Sequence, residues 1–151
     1  MNKVRWGVLG LGNIGQTFCN SIQPVGNATL QAVASKSKNI DSIHTPKEIP
    51  AKYVFTNYSD LLASDQVDAI YIALPNHLHM EWILRSLEHG KHVLVEKPAV
   101  IYPDDLLKLK KDFAGKNLIF AEAFMYLHHP RIEMLLNYIE EGKIGKPLRM
   151  K

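Results

Sequence analysis

Short apolar runs alternate with longer amphipathic segments along almost the whole chain. Such short runs predict strands of a parallel sheet, because strands covered on both faces carry apolar side chains at successive positions. Six runs fit: residues 4–9, 28–34, 53–55, 67–74, 92–95 and 118–121. Helices are predicted over residues 16–22, 60–63, 77–88, 103–114 and 130–141. This alternation predicts an α/β fold, a doubly wound, mostly parallel sheet with helices on both faces.

Proline, glycine and polar residues mark where these elements begin and end. Pro75 ends the fourth strand, Gly142 closes the last helix, and Ser59 is the predicted N-cap of the short helix. Residues 39–52 contain two prolines and predict at most one turn of helix. Beyond Gly142, a turn-rich segment leads into an alternating run. We therefore expect a domain over residues 1–142 and the start of a second one over residues 143–151.

A glycine-rich turn joins the first predicted strand to the first helix. It reads Gly10-Leu11-Gly12-Asn13-Ile14-Gly15. Gly10 permits the sharp turn, Gly12 removes a Cβ that would block a close-lying pyrophosphate, and Gly15 lets the helix pack near the strand. The free main-chain N–H groups at the helix start, where Asn13 and Ile14 lie, attract an anion without any basic side chain. The turn predicts a dinucleotide site when a ribose-reading residue follows about 20 positions later.

The second predicted strand ends at that distance, in Ser35-Lys36-Ser37-Lys38. An acidic side chain at this point would accept hydrogen bonds from the ribose of NAD, and none is present. The hydroxyls of Ser35 and Ser37 and the ammonium groups of Lys36 and Lys38 suit a 2′-phosphate instead, which favours NADP and leaves NAD possible. The alternative is that this segment is an ordinary solvated loop.

Two further loops are expected at the same edge, because ligands of open parallel sheets bind beyond the carboxyl ends of the strands. The candidate residues there are Leu74, Pro75, Asn76 and His79 in one segment and Glu96-Lys97-Pro98 in the other. Lys97 is the predicted catalytic residue, since a lysine at a strand end can relay a proton to a substrate hydroxyl lying over a nicotinamide. The alternative is an exposed lysine paired with Glu96.

Other kinds of site are not predicted. The histidine pairs at residues 77 and 79 and at residues 128 and 129 lack acidic or thiolate partners at metal-binding spacing, so no metal site is expected. His79 is instead expected to form hydrogen bonds beneath the cofactor. The chain has no Tyr-x-x-x-Lys pair, and the glycine turn is not followed by the Lys and Ser or Thr of a Walker loop.

Composition restricts the class of protein further. The 151 residues, 46% of them apolar, are enough for one buried core. A net charge of +3 from scattered basic residues gives no nucleic-acid signal. The lone Cys19 permits no internal disulfide, which favours a reducing, cytoplasmic setting. No stretch approaches the roughly 18 apolar residues of a membrane helix, so we expect a soluble protein without a membrane partner.

Together these motifs resemble the Gfo/Idh/MocA oxidoreductase family over the whole chain. The residues that carry the resemblance are the glycine turn, Pro75-Asn76-His77-Leu78-His79, Gly90-Lys91-His92-Val93-Leu94-Val95-Glu96-Lys97-Pro98 and Glu122-Ala123-Phe124-Met125-Tyr126. The resemblance implies a Rossmann domain for NAD or NADP, with Lys97 as the catalytic lysine. It points to the branch of NADP-dependent sugar and dihydrodiol dehydrogenases. Where the family often carries an arginine near the nicotinamide, this chain has Leu127, which cannot hydrogen-bond the cofactor.

Family members continue into a second domain that covers the cofactor, binds substrate and mediates association. The resemblance therefore implies that this chain is a truncated or separate cofactor half, with the substrate domain missing and self-association possible. The expected function is hydride transfer between NADP and a sugar, polyol or dihydrodiol. The isolated chain is expected to bind NADPH and to turn over sugars poorly, because the nicotinamide would face water. The alternative is a non-catalytic nucleotide-binding or redox-sensing module.

Overall fold

One sheet with helices on both faces forms the protein, in a computed structural model that describes residues 3–36 and 49–149. The strands of this part of the chain are β1 Val4–Leu9, β2 Ala28–Ala34, β3 Tyr53–Phe55, β4 Ala69–Ile72, β5 His92–Val95 and β6 Phe120–Glu122. Its α-helices are α1 Asn13–Ser21, α2 Tyr58–Ala63, α3 Asn76–Glu88, α4 Pro103–Phe113 and α5 Pro130–Glu140. A 3₁₀-helix, Met125–His128, precedes α5. Ser37 and most of the segment predicted as one turn of helix lie outside the described residues.

The strands lie in the order β3-β2-β1-β4-β5-β6, and every neighbouring pair is parallel. From β1 the chain winds outward to β2 and β3, and from β4 it winds outward in the other direction to β5 and β6. The strand order therefore reverses between β1 and β4, which is the point where doubly wound sheets bind ligands. The predicted α/β architecture is confirmed.

Alternate strand residues face two separate cores, one on each side of the sheet. The larger core packs the strands against α2, α3 and α4 and includes Leu9, Ile70, Ile72, Leu61, Trp82 and Leu109. The smaller core packs them against α1 and includes Val8, Val33, Tyr71, Cys19 and Ile22. Because both faces are covered, the strands can be almost entirely apolar, as their sequences are.

The bounds of α1 and β4 differ from the prediction. α1 begins at Asn13 rather than at residue 16, because Gly12 in extended backbone already serves as its N-cap. β4 is shorter than the predicted run of residues 67–74, although Val67 and Leu74 on either side of it are buried. An apolar run in the sequence indicates which residues are buried. The main-chain hydrogen bonds that define the strand extend over fewer residues than the buried run.

The predicted N-cap of α2 is wrong. Asn57 is the cap, and its side chain accepts a hydrogen bond from the N–H of Ser59 at 2.9 Å. Asparagine and serine both favour this position, so the apolar pattern alone could not separate two candidates that lie two residues apart.

Past β6 the chain carries much exposed apolar surface. No residue of α5 is buried, and Met134, Leu136 and Tyr138 are all exposed. Gly142 follows the helix with a φ of +69° and so ends it, as predicted. Residues 148–149, which belong to the predicted strand, do not form a strand. Among the described residues, no helix combines the length and apolar character needed to cross a membrane.

An ion pair joins β1 to the loop before β4. Arg5 donates from Nη2 to Oδ1 of Asp68 at 2.6 Å and from Nε to Oδ2 at 3.0 Å. The main-chain N–H of Arg5 also donates to Oδ2, at 2.9 Å. The hydrogen bond from the Arg5 side chain is the main reason that the pKa of Asp68 is lower than its ordinary value. The pair connects the two central strands at their amino ends.

Asp68→Asn is expected to destabilise the protein at neutral pH and to have little effect in acid. Because the folded-state pKa of Asp68 is depressed, its contribution is present above the unfolded pKa of about 3.9 and is lost as pH falls through the folded pKa. The side chains are 36% and 37% exposed, so we expect a fall in thermal midpoint of only about 3 °C at neutral pH. Thermal unfolding as a function of pH measures the effect. An equal difference at neutral and strongly acid pH would contradict it.

Candidate dinucleotide site

The three glycines of the turn between β1 and α1 have different structural roles. Gly10 has a φ of +93°, and a Cβ there would lie 2.5 Å from the carbonyl oxygen of Ala73. A Cβ on Gly15 would lie 2.1 Å from the carbonyl oxygen of Gly10. The packing of the turn itself therefore requires both glycines. Gly12 has an ordinary φ of −68°, and no described protein atom lies within 4 Å of the position of its Cβ.

The open space at Gly12 adjoins the N-terminus of α1. No side chain caps this end of the helix, and its first turn contains no acidic residue. Asn13 and Ile14, the first two helical residues, are both exposed. The first N–H groups of a helix have no intrahelical acceptor and lie at the positive end of the helix dipole. This end of α1 can therefore bind a phosphate through the main chain.

The carboxyl end of β2 lies beside the glycine turn. The N–H of Gly10 donates to the carbonyl oxygen of Ala34, the last residue of β2, at 2.9 Å. Ser35 is buried there and Lys36 is exposed. Nζ of Lys36 lies 5.1 Å from the centroid of the Tyr58 ring and 5.7 Å from that of the Trp82 ring. Both rings are buried, so they form a fixed aromatic platform under the ammonium group.

The loop after β4 places its candidate residues in different surroundings. Pro75 and Asn76 are exposed at the start of α3, and Leu74 is buried. His79 has no exposed surface: Nδ1 lies 2.8 Å from the carbonyl oxygen of Pro98, and Nε2 lies 2.7 Å from that of Leu74. A ring enclosed in this way does not reach a cofactor at the surface. His79 therefore lies beneath the surface of the site and forms its contacts with main-chain carbonyl groups, and its role toward a cofactor stays a prediction.

Lys97 follows β5 at the same edge of the sheet and is exposed. The peptide bond between Lys97 and Pro98 is cis. Within residues 3–36 and 49–149, the ion pairs do not include Lys97, so the alternative of a Lys97–Glu96 pair is not found. The carboxylate of Glu96 instead accepts hydrogen bonds from the hydroxyl of Tyr71 and, at 3.3 Å, from the main-chain N–H of Lys97. Burial, together with Glu96, raises the pKa of Tyr71.

One side chain near Lys97 has a role that sequence reasoning missed. Oε1 of Glu122 accepts a hydrogen bond from the main-chain N–H of Ala99 at 2.7 Å. Glu122 belongs to a motif that resembles the family, and it ends an apolar strand. A carboxylate at the end of an apolar strand was the signal in the sequence that could have identified Glu122. The partner itself lies 23 residues away in sequence, and only the folded sheet brings the two together.

A groove of about 260 Å³ runs along α1 over β4, β5 and β6. Its walls include Ile14, Phe18, Tyr71, Leu94, Phe124 and Met125, with Glu96 at the carboxyl end of β5. The Phe18 and Tyr71 rings stack with their centroids 4.0 Å apart. The groove thus lies on the other side of the glycine turn from Lys36. In the described part of the chain, no group of three His, Cys, Asp or Glu residues is placed to hold a metal ion.

Comparison with known proteins identifies the family. The sequence profile of an oxidoreductase family with an NAD-binding Rossmann fold, GFO_IDH_MocA, matches residues 4–124. The chain belongs to the Gfo/Idh/MocA family of oxidoreductases. Within the family, it is 34% identical to D-xylose 1-dehydrogenase (NADP(+)) 2 of Haloferax volcanii, over 85% of this chain and 39% of that protein.

Solved structures of the Gfo/Idh/MocA family share the fold. Scyllo-inositol dehydrogenase from Lactobacillus casei, with bound NAD(H) and scyllo-inositol, matches 95% of this chain and 43% of its own, with a TM-score of 0.86 and 27% identity. A 3-ketoreductase from Actinomadura kijaniata, in complex with TDP-benzene and NADP, matches 95% of this chain and 45% of its own, with a TM-score of 0.84 and 33% identity. This chain spans less than half the length of these relatives. The predicted family and Rossmann fold are confirmed.

Proposed function

We propose that this chain binds NADP and forms the cofactor half of a dehydrogenase that acts on a sugar, a polyol or a dihydrodiol. The observation that carries the proposal is the turn at Gly12, where open space adjoins a helix N-terminus that no side chain caps, at the reversal of strand order. A pyrophosphate fills such a space, since it needs close approach to the main chain and a positive field. The residues proposed to line the dinucleotide site are Gly10, Gly12, Asn13, Ile14, Gly15, Ser35, Lys36, Leu74, Pro75, Asn76, Glu96 and Lys97, with His79 beneath them.

The two ends of the dinucleotide then extend in opposite directions from Gly12. The adenosine end reaches the carboxyl end of β2, on one side of β1. The nicotinamide end reaches the groove along α1 over β4 and β5, on the other side of β1. Apolar walls from Ile14, Phe18 and Met125 suit the faces of the nicotinamide ring, and its amide group can meet the polar end of the groove at Glu96.

The choice of NADP rests on Lys36. Among the described residues, its ammonium group lies at the end of β2, where a ribose-binding carboxylate would select NAD. The platform of Tyr58 and Trp82 restricts where that ammonium group can lie, which lowers the entropy lost when it meets a phosphate. Ser37, outside the described residues, is proposed as a further 2′-phosphate ligand from the sequence alone.

Lys36→Ala is expected to weaken NADPH binding about tenfold and to leave NADH binding unchanged, because NADH lacks the 2′-phosphate. Lys52→Ala is the matched control. Nζ of Lys52 also lies over a ring, 5.1 Å from the centroid of Tyr53. Lys52, however, precedes the amino end of β3, whereas Lys36 follows the carboxyl end of β2. Calorimetric titration with both nucleotides makes the measurement. Preference of the unmodified chain for NADH would contradict the NADP assignment, and binding of neither nucleotide would contradict the proposed function.

Lys97 is proposed as the catalytic residue. When bound, NADPH would supply a hydride from its nicotinamide ring and NADP⁺ would accept one there. In oxidation of an alcohol, the amine of Lys97 accepts the hydroxyl proton as the neighbouring carbon gives up its hydride. In reduction, the ammonium group of Lys97 returns a proton to the oxygen on which negative charge develops. The exposure of Lys97 and its position after β5, at the same edge as the glycine turn, support this role.

The substrate class is proposed from the relatives, which include a D-xylose dehydrogenase and an inositol dehydrogenase. The walls of the substrate pocket are proposed to come from a second domain. Residues 1–142 would then be the dinucleotide domain and residues 143–151 the entry into the second one. Homo-oligomer formation and a cytoplasmic location stay predictions.

A further inference from the structure

We propose that Glu122 and His79 are positioning residues for Lys97, which they serve by fixing the main chain that follows it. The proposal rests on the proposed catalytic role of Lys97. The His79 ring would hold the loop after β5 at Pro98, and the Glu122 carboxylate would hold the same loop at Ala99. Neither side chain is assigned a contact with the reacting atoms: the His79 ring has no exposed surface, and Oε1 of Glu122 is held by Ala99, although Glu122 also lines the groove along α1.

Glu122 holds the loop from β6. The N–H of Ala99 donates to Oε1 of Glu122 at 2.7 Å, a short bond of the charge-assisted kind. β6 is itself fixed beside β5 by main-chain bonds, among them the N–H of Ala123 to the carbonyl oxygen of Val95 at 2.9 Å. Ala99 is buried in the larger core, so Glu122 satisfies an N–H that would otherwise lose its hydrogen bond to water.

His79 holds the loop from α3. Its ring lies between the carbonyl oxygens of Pro98 and Leu74, at 2.8 Å and 2.7 Å, and thereby joins the loop after β5 to the loop after β4. A carbonyl oxygen only accepts and a neutral imidazole carries one N–H, so a neutral ring donates to one of the two carbonyl groups and an imidazolium donates to both. The ring has no exposed surface, which means that water does not compete for either contact.

The residue before Lys97 is fixed on the other face of the sheet. Glu96 bonds to Tyr71, which stacks on Phe18 in the smaller core. Side chains therefore hold both the preceding residue and the two following residues, whereas the Lys97 side chain is exposed. A lysine side chain is long and has several rotatable bonds, so a fixed main chain limits the region that its nitrogen samples. Proton transfer needs that restriction, because small displacements of a reacting group cost large factors in rate.

The test compares Glu122→Ala with Glu122→Gln in this chain by NMR. Glutamine keeps a carbonyl oxygen that can accept from Ala99, and alanine does not. We expect the Ala99 amide to exchange about tenfold faster in Glu122→Ala and to regain most of its protection in Glu122→Gln. For His79, we expect a slowly exchanging Nδ1–H signal in the unmodified chain, because that hydrogen is the one that bonds to Pro98. Glu81→Ala is the matched control, since Glu81 pairs with Arg85 on the exposed side of α3.

A second readout follows the Lys97 side chain, through its Hε–Cε signals on addition of NADP. In the unmodified chain these signals are expected to shift when the cofactor binds. In Glu122→Ala that shift is expected to fall to about half or less, while the dissociation constant for NADP changes by less than about twofold. Glu122→Gln is expected to restore the shift. A role of Glu122 in stability alone would leave the Lys97 response of the folded, cofactor-bound protein unchanged.

The outcomes separate the two proposals. Lys97 signals that do not respond to NADP in the unmodified chain would contradict the proposed function, and the Ala99 and His79 signals would still report on the contacts. An unchanged Lys97 response in Glu122→Ala, or no recovery in Glu122→Gln, would overturn the positioning role of Glu122. A rapidly exchanging or absent Nδ1–H of His79 would overturn the role of His79.

Discussion

Gly12→Val is expected to weaken NADPH binding by at least about 100-fold while keeping the thermal midpoint within about 5 °C of the unmodified chain. The two effects separate because a Cβ at this position would meet no described protein atom within 4 Å, which leaves room for a small side chain. The same side chain would occupy the space proposed for the pyrophosphate and hold it away from the main-chain N–H groups of α1. Calorimetric titration and thermal unfolding of one preparation measure both quantities.

Gly15→Ala is the matched variant with the opposite expectation. Its Cβ would lie 2.1 Å from the carbonyl oxygen of Gly10, so α1 must move away from the turn. We expect the free energy of unfolding to fall by about 3 kcal/mol and the thermal midpoint by about 10 °C. Unchanged NADPH affinity in a folded Gly12→Val protein would place the nucleotide elsewhere.

Lys97→Met is expected to lower turnover about 10³-fold, while the dissociation constant of NADPH changes by less than about threefold. Methionine has a similar length and no proton to exchange, so binding surfaces persist while proton transfer stops. The assay needs the substrate domain, and the variant is therefore made in an enzyme in which that domain is joined to this chain. Steady-state rates with a sugar or polyol and direct titration of NADPH are the two measurements.

Lys116→Met is the control for that experiment, because Lys116 lies in the turn after α4 and is exposed. We expect it to keep the unmodified rate. A large loss of NADPH affinity in Lys97→Met would make Lys97 a binding residue. A two-domain protein that binds NADPH and turns over no sugar or polyol would instead fit the nucleotide-binding or redox-sensing module.

The architecture could be read from the sequence because its strands are buried on both faces and separated by helices with clear ends. The boundaries were less accessible. The start of α1 at Asn13 depends on Gly12 acting as an N-cap without a side chain, and the start of α2 depends on Asn57. In both cases neighbouring residues could begin the helix at similar energy. Contacts in the folded chain decide between them, and an apolar pattern in the sequence does not show those contacts.

The candidate site shows the same division. The glycine turn, Lys36 and Lys97 were found because motif spacing and the carboxyl ends of parallel strands define where ligands bind. The surroundings of His79 and Glu122 were not found, since their partners lie 19 and 23 residues away. The sequence predicted hydrogen bonds of His79 beneath the cofactor but not the carbonyl groups that its ring faces. Those partners depend on how the loops after β4 and β5 pack together.

The central claim is that the main chain at the start of α1 holds the diphosphate of a dinucleotide. Titration of NADPH into the isotopically labelled chain tests it most directly, with amide signals followed residue by residue. We expect the largest shifts at Gly12, Asn13 and Ile14, with further shifts at Lys36 and Lys97 on either side of β1. Saturable binding with its largest shifts at the opposite, amino-terminal edge of the sheet, or no saturable shift at all, would contradict the claim.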